Sequence, residues 1–292
     1  MISIVISSRN EAENLSDTVA CLLENSGSEA FEIVVVDDGS DDGSGEAAAR
    51  RFAGDSRVKV LRAEGLGVAR ARNLGAKASH GETLVFLDGH CWCPPGWLEQ
   101  LTDPLADPRV GLTGPAFADL VTDDGACGYG VAWPQPDLSM SWLERQADTP
   151  YPVPLLPGGC GAMRRALFDR LGGHDAGMGR WGSEGEELSL NVWLSGYEVW
   201  VVPDCMVRHL FRARHPYRVM AADVLHNRLR LAAVHFSCQR LARVIDHCRD
   251  EPEFGRALAA LIQGDTVLRR SICWETRIRD DDWWSRRFGL PW

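Results

Sequence analysis

The first hundred residues alternate between short apolar runs and stretches of helical period. Ile2–Ser7, Glu32–Val36, Val58–Leu61 and Thr83–Leu87 read as strands. Glu11–Asn25, Gly43–Phe52 and Val68–Ala78 read as helices, and Pro94-Pro95 opens a fourth that runs to about Leu105. A helix between successive strands makes each connection a crossover, so the strands lie parallel in one sheet. The run Leu84-Val85-Phe86-Leu87 has no polar face, as expected of a strand covered on both sides. The expected fold class is α/β. In open sheets of this kind, ligands bind outside the carboxyl ends of the strands. The chemistry should therefore lie in the residues that follow each apolar run.

Those residues are polar and charged. Leu87 runs into Asp88-Gly89-His90. An Asp and a His two residues apart at a strand end can turn the same way and share one divalent cation. A carboxylate with an imidazole suits Mn²⁺-like ions better than Ca²⁺. The first strand ends at Ser7-Ser8-Arg9-Asn10-Glu11 and the second at Asp37-Asp38-Gly39-Ser40. A carboxylate at Asp38 could accept the N3–H of a uracil ring, with Ser7 nearby for a carbonyl. Asp37 and Asp38 read equally well as an N-cap and Asx-turn. Gly65-Leu66-Gly67 opens the next helix as a phosphate loop does, and Arg70 or Arg72 could neutralise a diphosphate there.

Residues 114–157 are rich in Pro, Gly and Asp and weakly periodic. They read as an excursion over the sheet, a usual place for an acceptor-facing surface. Gly158-Gly159 follows, and adjacent glycines let the backbone approach a ligand closely. Arg164–Leu171 and Glu184–Ser195 read as helices and Glu198–Val202 as a strand. Trp181 followed by Glu184 suits a sugar: the ring stacks on the sugar face and the carboxylate accepts from hydroxyls. Glu186 and Glu187 read as an acidic first helical turn. His209 is the natural third ligand for a cation held by Asp88 and His90. Arg212, His215 and Tyr217 would then reach a diphosphate.

From about Val219 the chain reads as helices: Val219–Phe236, Gln239–Arg249 and Phe254–Ile262. The first carries an apolar face of Val224, Leu225, Leu229, Leu231 and Val234, with Arg228 and Arg230 on a basic outer face. Trp283, Trp284, Phe288 and Trp292 in the tail read as an acceptor wall, a homodimer contact through the C-terminal region or plain core, with packing or dimerisation favoured. The net charge of −10, from 41 acidic against 31 basic residues, argues against a nucleic acid polymer as partner. No run approaches the roughly 20 apolar residues of a membrane span. Met1-Ile2-Ser3-Ile4 is already strand, without the basic start of a signal peptide, so a cytoplasmic location and no membrane partner are expected. The nine cysteines are scattered and read as small buried hydrophobes.

Several of these blocks together resemble the polypeptide N-acetylgalactosaminyltransferases. They are Asp37-Asp38 after a strand, Ala69-Arg70-Ala71-Arg72, and Phe86-Leu87-Asp88-Gly89-His90-Cys91-Trp92-Cys93 with Gly96-Trp97-Leu98-Glu99. Gly158-Gly159, Asp175-Ala176-Gly177-Met178 with Trp181-Gly182-Ser183-Glu184, and His209-Leu210-Phe211-Arg212 with His215-Pro216-Tyr217 continue the series in the family's order. The resemblance implies a GT-A nucleotide-sugar-binding fold: a Rossmann-like, mostly parallel sheet flanked by helices. It places the catalytic domain at 1–217 and leaves 218–292 as a C-terminal helical extension. It implies a UDP-sugar donor, Mn²⁺ (or Mg²⁺) held by Asp88, His90 and His209, and transfer of an N-acetylhexosamine to a small-molecule or peptide hydroxyl. Uridine contacts pass to Ser7, Asp38 and Arg70, with Arg9 beside them. Diphosphate contacts pass to Arg212, His215 and Tyr217. Sugar contacts pass to Gly159, Trp181 and Glu184, and Gly158 beside Gly159 is a further substrate-binding residue.

The chain departs from the family at Gly185, where the family has an Asn that touches the sugar. It also goes from Arg218 directly towards a helix where the family has a lid. The missing carboxylate at 185 favours retention, with Glu184, Glu186 or Glu187 as the alternative base of an inverting reaction. A non-catalytic UDP-sugar-binding protein is the other class compatible with these residues.

Overall fold

The computed structural model describes residues 1–27, 30–122, 125–290 and 292. The first half follows the alternation expected: β1 (Ile2–Ser8), α1 (Glu13–Asn25), β2 (Phe31–Asp38), α2 (Ser44–Arg51), β3 (Val58–Ala63), α3 (Val68–Lys77) and β4 (Thr83–Asp88). β5 (Cys91–Trp92) and α4 (Trp97–Thr102) follow. β6 (Val110–Asp119), the short strands β7 (Cys127–Gly128), β8 (Val131–Ala132), β9 (Ser141–Trp142) and β10 (Tyr151–Pro152), and then β11 (Cys160–Arg164) come next. α5 (Arg165–Leu171), α6 (Glu184–Leu194) and β12 (Glu198–His209) complete the sheet and its flanks. The sheet runs β10-β12-β6-β11-β4-β1-β2-β3. β1, β2, β3 and β4 pair parallel, as do β6 and β12, while β11 runs antiparallel between β4 and β6.

β4 divides two cores. Leu84 and Phe86 face one hydrophobic cluster, Val85 and Leu87 the other. This is the period-2 alternation of a strand covered on both sides. β3 lies at the edge, where its Lys59 and Arg62 are exposed.

The middle of the chain corrects the sequence reading. Residues 114–157 are not all excursion, because β6 runs to Asp119 in the centre of the sheet. Its Gly111, Gly114 and Pro115 read as breakers. In the fold, a Cβ at Gly111 would meet Tyr197 and Val192 at 2.7 Å, and one at Gly114 would meet Leu156 at 2.7 Å. The glycines are where neighbouring side chains press on the strand. Pro115 pairs with Val202, beside the irregularity between Val202 and Met206 that lets β12 continue past Pro203.

The C-terminal part forms α7 (Ala221–His235), α8 (Cys238–Cys248), α9 (Phe254–Gln263), α10 (Thr266–Thr276) and α11 (Asp281–Phe288). Leu225, Leu229, Phe236, Trp284 and Trp292 join the same core as Leu84 and Phe86. Trp283 and Phe288 pack on Trp193, with ring centroids 6.1 and 5.1 Å apart. The tail rings are therefore used inside the chain. Arg230 does not lie on an outer face. It is fully buried and pairs with Asp175 at 2.7 Å and Asp265 at 2.7 Å. Periodicity placed it among polar residues, but the partner that buries it lies 55 residues away. No described helix is long and apolar enough to cross a membrane.

Candidate active site

The strand ends meet because the register is tight. Ser7 pairs with Asp88 and Ser8 with Asp37, so β1, β2 and β4 stop side by side. β12 brings His209 to the same edge by pairing it with Cys91. A cavity of about 320 Å³ opens there, and Ser7, Asp38, Asp88, His90, Trp181 and His209 are among its lining residues.

Asp88, His90 and His209 converge. One ligand atom from each lies within 4.8 Å of the others, the one such cluster among the described residues. His209 Nε2 lies 3.1 Å from His90 Nε2 and 3.3 Å from Asp88 Oδ2. Two imidazole nitrogens and a carboxylate oxygen aimed at one point fit a borderline divalent ion. Arg72, 2% exposed, donates to Asp88 Oδ1 at 2.7 Å and to the Gly158 carbonyl at 2.6 Å. Burial opposes ionisation of Asp88. The hydrogen bond from His209 and the nearby charge of Arg72 outweigh it, and the pKa falls to about 2. A carboxylate is thus kept ready for a cation.

Glu11 is a member of the site that the sequence reading assigned to a helix. Its Oε1 lies 3.1 Å from His90 Nδ1 and accepts from Arg212 at 3.0 Å. Burial raises its pKa, but His90 and Arg212 more than compensate, so it stays ionised. The available signal was its position just past the first strand end, as for Asp88. Arg212 therefore reaches the cavity already paired. His215 packs edge-on to Trp181 with centroids 4.4 Å apart, and Tyr217 sits beneath the Arg9 guanidinium at 5.6 Å. Burial lowers the His215 pKa and raises that of Tyr217, so the ring stays neutral and the phenol protonated at neutral pH.

Ser7, Arg9, Asp38, Asp88, His90, Trp181, His209, Arg212, His215 and Tyr217 all line the cavity. Asp38 is already engaged: its two oxygens accept from the Leu66 and Gly67 amides at 2.6 and 2.8 Å. Arg70 is not brought in. It is exposed and its Nε donates back to the Leu66 carbonyl at 2.7 Å, while Arg72 one helical face away turns inward. Gly158 and Gly159 lie behind the ligand cluster. A Cβ at Gly159 would meet Phe117 at 3.1 Å and His209 at 3.2 Å.

Glu184 and Glu186 are buried and outside the cavity lining. Burial raises both pKa values to about 7, against partial relief from Arg72 for Glu184 and from Arg228 for Glu186. Glu187 is fully buried and pairs with His235 at 2.7 Å. The acidic turn is thus an interior feature, not a solvated cap. His235 of α7 and Arg269 of α10, the latter 3.8 Å from Glu187, cover it, and both are remote in sequence.

Residues 3–172 match the family described as Glycosyl transferase family 2. The chain belongs to that family. This glycosyl transferase family 2 chain is 33% identical to polypeptide N-acetylgalactosaminyltransferase 3 of Mus musculus over 258 residues, 80% of this chain and 40% of the relative. It is 33% identical to polypeptide N-acetylgalactosaminyltransferase 5 of Caenorhabditis elegans, over 80% of this chain and 41% of the relative. It spans about two fifths of the length of such relatives. Among solved structures, GalNAc-T7 with UDP, GalNAc and Mn²⁺ superposes with TM-score 0.81 at 24% identity, over 99% of this chain and 57% of that one. A Pyrobaculum calidifontis mannosyltransferase with GDP-Man and Mn²⁺ superposes with TM-score 0.58 at 21% identity, over 94% and 73%. The GT-A architecture implied by the sequence motifs is the one observed.

Proposed function

We propose that this family 2 chain transfers an N-acetylhexosamine, GalNAc or GlcNAc, from a UDP donor to an acceptor hydroxyl, using Mn²⁺ held by Asp88, His90 and His209. The observation that carries this reading is their convergence within 4.8 Å beside Arg212, His215 and Tyr217. A bound divalent ion there supplies positive charge to a leaving diphosphate. The chain's own residues do the rest. Arg212, oriented by Glu11, meets charge growing on the β-phosphate. Tyr217, a phenol that is protonated at neutral pH and that burial holds so more firmly, donates a hydrogen bond to the same group. Trp181 walls the sugar side of the cavity.

Retention is the stereochemical outcome proposed. The bond from the anomeric carbon to UDP breaks, the bond to the acceptor oxygen forms, and the acceptor proton passes to the departing diphosphate. An inverting reaction needs a base within hydrogen-bond reach of the acceptor. Glu184, Glu186 and Glu187 are buried and are not among the residues lining the cavity, which supports the retaining reading. Met140, Trp142 and Phe211, each nearly half exposed, stand at or beside the cavity, and Phe211 packs on His209 at 4.6 Å. An apolar rim of this kind favours a peptide Ser or Thr as acceptor over a small polar molecule.

The test is a donor screen. UDP-GalNAc, UDP-GlcNAc, UDP-glucose and UDP-galactose are incubated with Mn²⁺ or with EDTA, and UDP release is measured. Slow Mn²⁺-dependent hydrolysis of an N-acetylhexosamine donor is expected, and Asp88→Ala, His90→Ala or His209→Ala each abolishes it. Wild-type turnover in those variants refutes the metal assignment. Binding of donor without turnover, with acceptor peptides present, would identify a non-catalytic protein.

A further inference from the structure

Two cations in the cavity remain unspent once the site is assembled. Arg212 is held by Glu11 for the diphosphate, and Arg72 is held by Asp88. Arg9 and Arg180 have no ion-pair partner among the described residues, and Arg9 Nε is buried without a hydrogen-bond acceptor. Both guanidinium groups converge on the same spot. A Cβ built on Gly65 would lie 3.4 Å from Arg9 Nη1 and 3.9 Å from Arg180 Nη2. Arg180 is exposed and gives its N–H groups to water, whereas Arg9 Nε is buried with no acceptor in the chain, so a carbonyl-bearing ligand at this spot supplies the partner that Arg9 lacks.

The surroundings define that ligand. Gly65 and Leu66 belong to the loop that Asp38 grips, and Leu66 N donates to Asp38 at 2.6 Å. A Cβ on Gly39 would lie 3.3 Å from Gly65 N, so the two cations and the Asp38 carboxylate share one end of the cavity. Arg180 is held there from two sides. Its carbonyl accepts from Val68 N at 3.0 Å, and a Cβ on Gly67 would meet its Cα at 2.9 Å. On the other side, the fully buried Asn227 of α7 accepts from Gly179 N at 2.6 Å and donates to the Trp181 and Gly182 carbonyls at 3.1 and 2.8 Å. Residues 179–182 thus form a strap fixed between α3 and the C-terminal helices.

We propose that Arg180 and Arg9 form a donor fork that reads the two carbonyls of a pyrimidine-2,4-dione base, with the remaining lone pairs of Asp38 facing the N–H between them. Arg180 is then a specificity-determining residue of the donor site, in the place where the sequence motif pointed to Arg70. The pattern of donor, acceptor, donor matches uracil. Cytosine presents an amino group where one carbonyl should be. This inference rests on the UDP-donor reading above.

The experiment is calorimetric titration of the full chain, in Mn²⁺, with UDP, CDP and inorganic pyrophosphate. The variants are Arg180→Gln and Arg180→Lys. In the wild type, UDP is expected to bind at least tenfold tighter than CDP. Arg180→Gln weakens UDP about tenfold or more, brings UDP and CDP together, and leaves pyrophosphate unchanged. Arg180→Lys keeps the charge but not the planar fork, and recovers only part of the loss. UDP binding within twofold of wild type in Arg180→Gln overturns the proposal while leaving the donor reading intact. So does an equal loss for UDP and pyrophosphate, which would make Arg180 a phosphate contact. A wild type that binds none of the three overturns the donor reading and the fork with it.

Discussion

Replacing Glu184 by Gln should stabilise the protein at high pH and do little at low pH. Glu184 is 6% exposed, and its Oε1 has no hydrogen-bond partner. Burial raises its pKa from 4.5 to about 7, against the partial relief of Arg72. A raised value means that the folded protein prefers the protonated acid. The contribution to stability is whole below pH 4.5 and is lost as the pH climbs through about 7. At about 1.4 kcal/mol per pKa unit, the loss between pH 4.5 and pH 9 is about 3 kcal/mol. Gln has nearly the same shape and no charge to desolvate, so the variant lacks this loss. Any cost of burying its amide is the same at both pH values and cancels in the comparison. For a chain of this size about 3 kcal/mol corresponds to roughly 6 °C in Tm. Thermal melts of both proteins from pH 4.5 to pH 9 should therefore diverge by about that much at the alkaline end. Parallel Tm profiles across the range would refute the argument. Glu186 carries the same raised value on the same turn, so the variant removes only part of the total pH dependence.

Other perturbations test the remaining structure. Arg230→Ala leaves Asp175 buried without its bidentate partner, and a loss of about 3–5 kcal/mol is expected in urea unfolding; a loss below 1 kcal/mol would show that the pair is dispensable. Gly185→Asn puts back the side chain the family resemblance calls for. A Cβ there would stand 2.5 Å from Gly158 N, so about 1–3 kcal/mol of destabilisation is expected instead of improved GalNAc transfer. A variant with wild-type Tm and faster turnover would contradict the packing described here.

Much of the site was legible because its residues follow apolar runs. Asp88, His90 and His209 could be picked out one by one, since strand ends are readable from the runs before them. Their identity as a cluster needed β12 to return beside β5, a pairing across more than a hundred residues. Local reading failed where a residue's partner is remote. Glu11 reads locally as a helix start, yet it is bound by Arg212, 201 residues on. Arg70 and Arg72 are equivalent in sequence, and only packing turned Arg72 towards Asp88 and left Arg70 in solvent. β6 was obscured by glycines whose purpose is to admit side chains from neighbouring elements.

The alternation of apolar runs determined an α/β sheet and the edge at which its polar residues gather, because strand and helix periods are local properties of the chain. Which charges are paired there, which stay free and which are buried was decided only by the tertiary structure. Glu11 pairs with Arg212, Asp175 and Asp265 enclose Arg230 of α7, and the strap carrying Arg180 is pinned against α3. Each depends on groups far apart in sequence, whose interaction strength is set by distance and desolvation that no local pattern encodes.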